Sequence, residues 1–184
     1  MKSESGSAPR PNKWRLKKTL GRDVKYRPIE DDDMRYTFAA YKKGALEPLG
    51  EPFDNTSMTA DQFKETFERF VVEKFHAVWT LFATTKRGFI PVGLIFAVWV
   101  PSSPYMTVNA LCWFPWASRR NIIECCVSFL NSIRTQVNMM FYAAPEHKRT
   151  YEVCAMHGVI RRIGTSHIVF PGKPAAVFET RAKA

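Results

Sequence analysis

Apolar positions along this chain fall into two rhythms, and the change from one to the other marks where helices give way to strands. After Thr59 and Gln62, spaced as a capping box, Phe63, Phe67, Phe70, Val71 and Phe75 recur at helical spacing. From Val78 the period shortens. Segments 78–85 and 89–100, joined by Lys86, Arg87 and Gly88, predict a β-hairpin, and 106–114 predicts a third strand. The strongest helical pattern is 118–137, where Ile122, Cys125, Cys126, Phe129, Leu130 and Ile133 form one stripe. Upstream, a short strand at 25–29 precedes Asp31, Asp32 and Asp33, which stand where acidic N-caps start a helix running through Met34, Phe38 and Tyr41 to Gly44. Residues 45–58 read as a Pro/Gly loop. Downstream, the pattern predicts a strand at 139–144, a helix at 146–157 closed by Gly158, and two last strands at 160–170 and 176–180. This order of elements predicts a mixed α/β (α+β) domain.

One stretch tests that reading against a membrane span. Residues 88–118 carry no charge, but Pro101, Ser102, Ser103 and Pro104 cut them into pieces shorter than the ~20 apolar residues a crossing helix needs. Two buried strands are expected, and no membrane contact.

The polar end of the chain is different in kind. Residues 1–22 are rich in Ser, Pro, Lys and Arg and bury too little apolar surface to offset the entropy of ordering, so they are expected to form a flexible basic arm ahead of a single domain at 23–184. Of 27 Lys+Arg in the 184 residues, nine fall within 1–27 against two acidic residues, a net +7 out of the total +10. Nucleic acid or an acidic protein surface is therefore an expected partner for residues 2–27, alongside a plain solubilising role. The four cysteines lack metal-ligand spacing, and Cys125 and Cys126 are adjacent; with no apolar signal segment at the start, a reducing cytoplasmic setting and no metal are expected.

Missing residues narrow the chemistry. None of the nine glycines lies between Gly93 and Gly158, so dinucleotide, P-loop and nucleophile-elbow motifs are all absent, as is HExxH. No Asp or Glu lies between Glu73 and Glu124, so the three central strands cannot supply a carboxylate base. Arg119 and Arg120 fall in the first turn of the 118–137 helix, where the macrodipole disfavours cations. Either an anion gathers there, held also by open backbone N–H groups, or both guanidinium groups point into solvent.

Taken in order, several segments resemble the GNAT superfamily of N-acetyltransferases over about 26–180. Tyr26-Arg27-Pro28-Ile29-Glu30-Asp31-Asp32-Asp33 resembles its first strand and acidic helix start, and Gly88-Phe89-Ile90-Pro91-Val92-Gly93 its hairpin turn. Leu111-Cys112-Trp113-Phe114-Pro115 running into Ser118-Arg119-Arg120-Asn121-Ile122-Ile123 resembles its coenzyme A segment. Met156-His157-Gly158-Val159-Ile160-Arg161-Arg162-Ile163-Gly164 resembles its closing segment. The wording around Trp113 to Asn121 is also similar to GNAT-like proteins of tailed phages, some of which serve in virion assembly.

The resemblance implies a mostly antiparallel sheet of six to seven strands flanked by four helices, and transfer of an acetyl group from acetyl-CoA to an amine. It implies that strand backbone at Leu111 and Trp113 holds the thioester. N–H groups from Ser118, Arg119, Arg120, Asn121, Ile122 and Ile123 hold the pyrophosphate, and His147 takes the place of a family Asn. It also exposes departures. Two family glycines fall on Asn121 and Ile123, the Tyr that protonates the leaving thiolate falls on Cys154, and the strand carboxylate falls on Asn109. Cys154 is then a weak acid or a small core residue; Tyr151, one turn earlier, substitutes only if it faces the cleft. The competing expectation is a non-catalytic GNAT-fold structural or assembly protein, of a phage particle, whose basic arm docks on nucleic acid or a protein.

Overall fold

The computed structural model describes residues 26–85, 88–99, 103–143, 148–170 and 172–180, so the expected arm at 1–22 and its boundary lie outside the described residues. Seven strands form one sheet in the order β1-β2-β3-β4-β5-β7-β6. They are β1 (Tyr26–Pro28), β2 (Ala77–Thr85), β3 (Gly88–Trp99), β4 (Tyr105–Trp113), β5 (Asn138–Ala143), β6 (Ile160–Phe170) and β7 (Lys173–Thr180). Every neighbouring pair is antiparallel except β4 with β5. Four helices flank the sheet: α1 (Met34–Tyr41), α2 (Ala60–Lys74), α3 (Arg119–Ile133) and α4 (Lys148–Met156).

Each face of the sheet builds its own core. On one, β-strand residues Val78, Leu94, Phe96 and Cys112 meet α1 and α2 through a chain of rings, Tyr41, Phe53, Phe63 and Phe67, packed at centroid distances of 4.8 to 6.3 Å. The apolar stripe read for α2 is buried there at Phe63, Phe67, Phe70 and Val71. Thr59 caps the helix with its reciprocal Gln62, as the sequence pattern predicts. On the other face, Trp79, Leu81, Ile95, Val108 and Phe141 meet Cys126, Phe129, Leu130 and Ile133 of α3 and Cys154 of α4.

The uncharged 88–118 stretch supplies β3 and β4, and no helix among the described residues is long and apolar enough to cross a membrane. Several expected spans shift: α1 ends at Tyr41 rather than Gly44, and β7 begins at Lys173 rather than 176. The helix expected over 118–137 stops at Ile133, where Gln136 and Val137 both donate to the Ile133 carbonyl in a closing turn. The helix expected over 146–157 is described from Lys148 to Met156, with Gly158 following at φ +69° as its left-handed cap.

The acidic run starts the helical segment as expected, in a capping box that pairs Glu30 with Asp33, and it takes on a second job. Its three residues form a single 3-10 turn ahead of α1, and Asp33 turns inward to 2% exposure. Its carboxylate accepts two hydrogen bonds of 2.8 Å from Arg27 on β1, one of 2.8 Å from Thr80 on β2 and one from the Glu30 N–H. One side chain thus ties the start of α1 to two strands.

Candidate active site at the strand divergence

The site begins with an irregularity in β4. Ala97 pairs with Val108 and Phe96 with Ala110, which leaves Asn109 as the extra residue of a bulge. At the same level the parallel pairing with β5 ends: Tyr105 to Val108 match Asn138 to Phe141, and beyond that row the strands part. β5 is drawn instead to β7, where Tyr142 faces Val177 and Ala143 faces Ala176.

The parting exposes polar backbone. Phe114 N–H donates to the Val92 carbonyl at 2.9 Å, so residues 114, 112 and 110 turn their hydrogen-bonding groups toward β3. By the alternation of an antiparallel pair, Leu111 and Trp113 turn theirs the other way, into the gap that β5 has left. Trp113 lies directly opposite Gly93, whose missing side chain gives the indole room: a Cβ there would sit 2.7 Å from the ring.

The loop from β4 into α3 is pinned at both ends. Trp116 donates its indole N–H to the Pro91 carbonyl at 2.7 Å and packs edge-on to Phe114. Ser118 then caps α3, its hydroxyl accepting the Asn121 N–H at 3.2 Å while its carbonyl accepts that of Ile122. Of the expected pyrophosphate donors, Asn121 and Ile122 are thereby engaged within the chain, and the first two helical N–H groups, of Arg119 and Arg120, have no acceptor within the helix. The charge conflict at this helix start is resolved locally for Arg120, whose guanidinium pairs with Glu124 one turn on at 2.7 Å. Arg119 is exposed beside it. The side chain of Ile123 is half-buried, and His147 lies outside the described residues.

Behind the gap, α4 meets α3. A cavity of about 20 Å³, room for roughly one water, lies where β4, β5, α3 and α4 converge; Leu111, Val108, Phe141, Cys126, Tyr151 and Cys154 are among its walls. Both sequence-predicted catalytic candidates therefore reach the strand divergence. Tyr151 is half-buried, stacked on Phe178 at 5.6 Å and tilted against Phe141. Burial, then the neighbouring thiols, push its phenol well above the usual range, so it stays a neutral O–H donor. Cys154 is buried to 1% exposure in hydrogen-bond contact with Cys126, which lowers the Cys154 thiol and raises that of Cys126.

One buried carboxylate escaped the sequence reading. Glu179 on β7 is 6% exposed, lies opposite Met140 on β5, and accepts hydrogen bonds from Tyr105 of β4 and Arg161 of β6. Burial pushes its pKa up, but the two hydrogen bonds and the Arg161 charge outweigh that, and the net shift is downward from 4.5. A depressed carboxylate stabilises the fold above its unfolded pKa and loses that contribution as pH falls through the folded value. Glu179→Gln should accordingly be less stable than the parent at neutral pH, with the difference shrinking as pH drops below 4.5 in urea unfolding; a difference independent of pH would contradict this role. The only sequence signal was a Glu amid the buried run of β7.

A bulged β4, a parallel β5 that leaves it after four residues, and a helix starting where β4 ends make a specific architecture. Solved structures have a similar overall fold. A spermidine N-acetyltransferase from Vibrio cholerae, in complex with CoA and spermine, superposes with TM-score 0.57 at 10% identity, covering 84% of this chain and 92% of that one. The fold is that of the GNAT N-acetyltransferases. A GCN5-related N-acetyltransferase from Brucella melitensis gives 0.59 at 17% identity over 88% of this chain and 76% of that one. A GNAT-family acetyltransferase from Bacillus anthracis gives 0.57 at 14% over 84% and 92%. No protein-family model and no curated protein matches the sequence. The GNAT fold is thus retained at identities where side chains have largely been replaced.

Proposed function

We propose that this protein is an acyl-CoA-dependent N-acyltransferase that moves an acetyl group from acetyl-CoA to an amine. The observation that carries the reading is the strand divergence, which aims the backbone groups of Leu111 and Trp113 into a gap beside the α3 start. The donor set fits the cofactor in two places. Leu111 and Trp113 would hold the pantetheine and thioester end by strand-like hydrogen bonds, while the Arg119 and Arg120 N–H groups with the Arg119 guanidinium would hold the pyrophosphate. Acetyl-CoA, when bound, supplies the activated acyl group.

The chain's own groups do the rest by placement. Strand backbone orients the reacting carbonyl, and positioning of this kind tolerates weak acid and base groups. The Tyr151 hydroxyl, kept protonated by its surroundings, is the proton donor for the departing sulfur, with Cys154 behind it. Asn109, exposed at the bulge, cannot take the proton of the incoming amine, which leaves to solvent. The cavity is too small for a pantetheine arm, so binding requires Tyr151 and the α3–α4 contact to yield.

That small cavity also favours a second reading, a GNAT-fold protein without catalysis serving in assembly, such as that of a phage particle. There the basic arm within residues 2–27 would dock on nucleic acid or a partner protein. Titration calorimetry with acetyl-CoA separates the two. A saturable one-to-one heat is expected; no heat with ligand near millimolar would end the acyltransferase reading.

A further inference from the structure

Cys126 on α3 and Cys154 on α4 meet thiol to thiol. Both border the cavity behind the strand divergence, and a hydrogen bond joins them. The other two cysteines are committed elsewhere. Cys125 donates its thiol to the Phe82 carbonyl at 3.1 Å, and Cys112 lies across the sheet in the core against α1 and α2.

We propose that Cys126 and Cys154 form an oxidation site, at which a peroxide converts the thiol pair to a disulfide tying α3 to α4. Both thiols wall the same small apolar cavity, and at 8% and 1% exposure they meet peroxide when the α3–α4 contact opens. The roles of the two sulfurs differ. Cys126 donates its hydrogen bond to Cys154, which favours the Cys154 thiolate, and the thiolate is the nucleophile. By contrast, burial pushes Cys112 up to about 12, where it is inert.

The chemistry balances without further reagents. The Cys154 thiolate attacks one oxygen of hydrogen peroxide, the O–O bond breaks, and hydroxide leaves and takes up a proton as water, giving a sulfenic acid. The Cys126 sulfur then attacks the Cys154 sulfur. An S–S bond forms, the S–O bond breaks, and hydroxide leaves with the Cys126 proton as a second water. Two electrons pass from the thiol pair to the peroxide. The bond closes the chain between residues 126 and 154, which restricts the unfolded ensemble and should raise thermal stability. It also fixes together the two helices that border the gap, and the proposal stands whether or not the gap binds acyl-CoA.

The test uses the full chain in its reduced form. It is treated with hydrogen peroxide, unfolded in the presence of an alkylating agent, digested without reductant and read by mass spectrometry. The expected product is one cross-linked peptide pair joining Cys126 to Cys154, lighter by two hydrogens, with Cys112 and Cys125 alkylated and Tm shifted upward until reductant is added. A Cys125→Ala variant should give the same cross-link, and Cys126→Ser should leave Cys154 as a sulfenic acid that dimedone traps. Recovery of Cys126 and Cys154 both alkylated, their conversion to sulfinic acids without a cross-link, or a bond to Cys125 instead would each overturn the proposal.

Discussion

Replacing Asp33 by Ala should destabilise the domain more than any other single polar substitution among the described residues. The carboxylate is buried to 2% exposure and receives four hydrogen bonds, from the Arg27 fork, the Thr80 hydroxyl and the Glu30 N–H. Removing one partner of a buried pair costs ~3–5 kcal/mol because the other is left uncompensated. Arg27 keeps 32% side-chain exposure and can recover some hydration, which puts the expected loss at the lower end of that range. Thr80 has no such escape, being fully buried. At roughly 2–4 °C per kcal/mol for a domain of this size, Tm should fall by about 6–12 °C. Asp33→Asn keeps the volume and an acceptor for Thr80, and should lose less. A melting temperature unchanged within a degree or so in Asp33→Ala would contradict the anchoring role.

The second large effect is expected at Gly93, where a single methyl group meets both a ring and a backbone atom. Its added Cβ would lie 2.7 Å from Trp113 Cε3 and 2.9 Å from the Cys112 carbonyl oxygen. The indole could swing away, but the carbonyl belongs to the β3–β4 ladder and moves only if the strands do. Overpacking of this kind costs ~1–3 kcal/mol, about 2–4 °C in Tm for each kcal/mol. Because Trp113 also aims its backbone into the strand gap, Gly93→Ala should weaken acetyl-CoA binding in calorimetry as well as stability. Loss of stability with binding unchanged would separate Trp113 from the site.

Much of this arrangement was legible in the chain because local patterns and tertiary demands agree. The capping box at Thr59, the stripe of α3 and the glycine closing α4 each specify an element whose partners confirm it. The proline-broken uncharged stretch separated paired strands from a membrane helix in the same way. What escaped were features that exist only between elements. The bulge at Asn109 has no local signature, since nothing in Val108-Asn109-Ala110 distinguishes a regular strand from an interrupted one; the register shift against Phe96 and Ala97 of β3 defines it. Asp33 looked like one of three helix-start carboxylates, and only Arg27 and Thr80 converging from two strands turn it inward. Glu179 is held by residues 18 and 74 positions away. The meeting of Cys126 with Cys154 likewise depends on how α3 and α4 approach each other.

The candidate site divides along the same line. The outward turn of the Leu111 and Trp113 backbone follows from strand alternation, and the resemblance to the GNAT family pointed to these two residues. Side-chain placements were not legible in the same way. Tyr151 reaches the gap because Phe178 of β7 provides a ring for it to stack on, and Arg120 is drawn to Glu124 on its own helix.

Amide chemical-shift mapping of isotope-labelled protein with acetyl-CoA tests the central claim most directly. The account predicts saturable shifts concentrated at the amides of Leu111, Trp113, Arg119 and Arg120, with the ring of Tyr151 moving in step. Absence of shifts at these positions, or saturable shifts confined to a surface away from the divergence of β4 and β5, would contradict it.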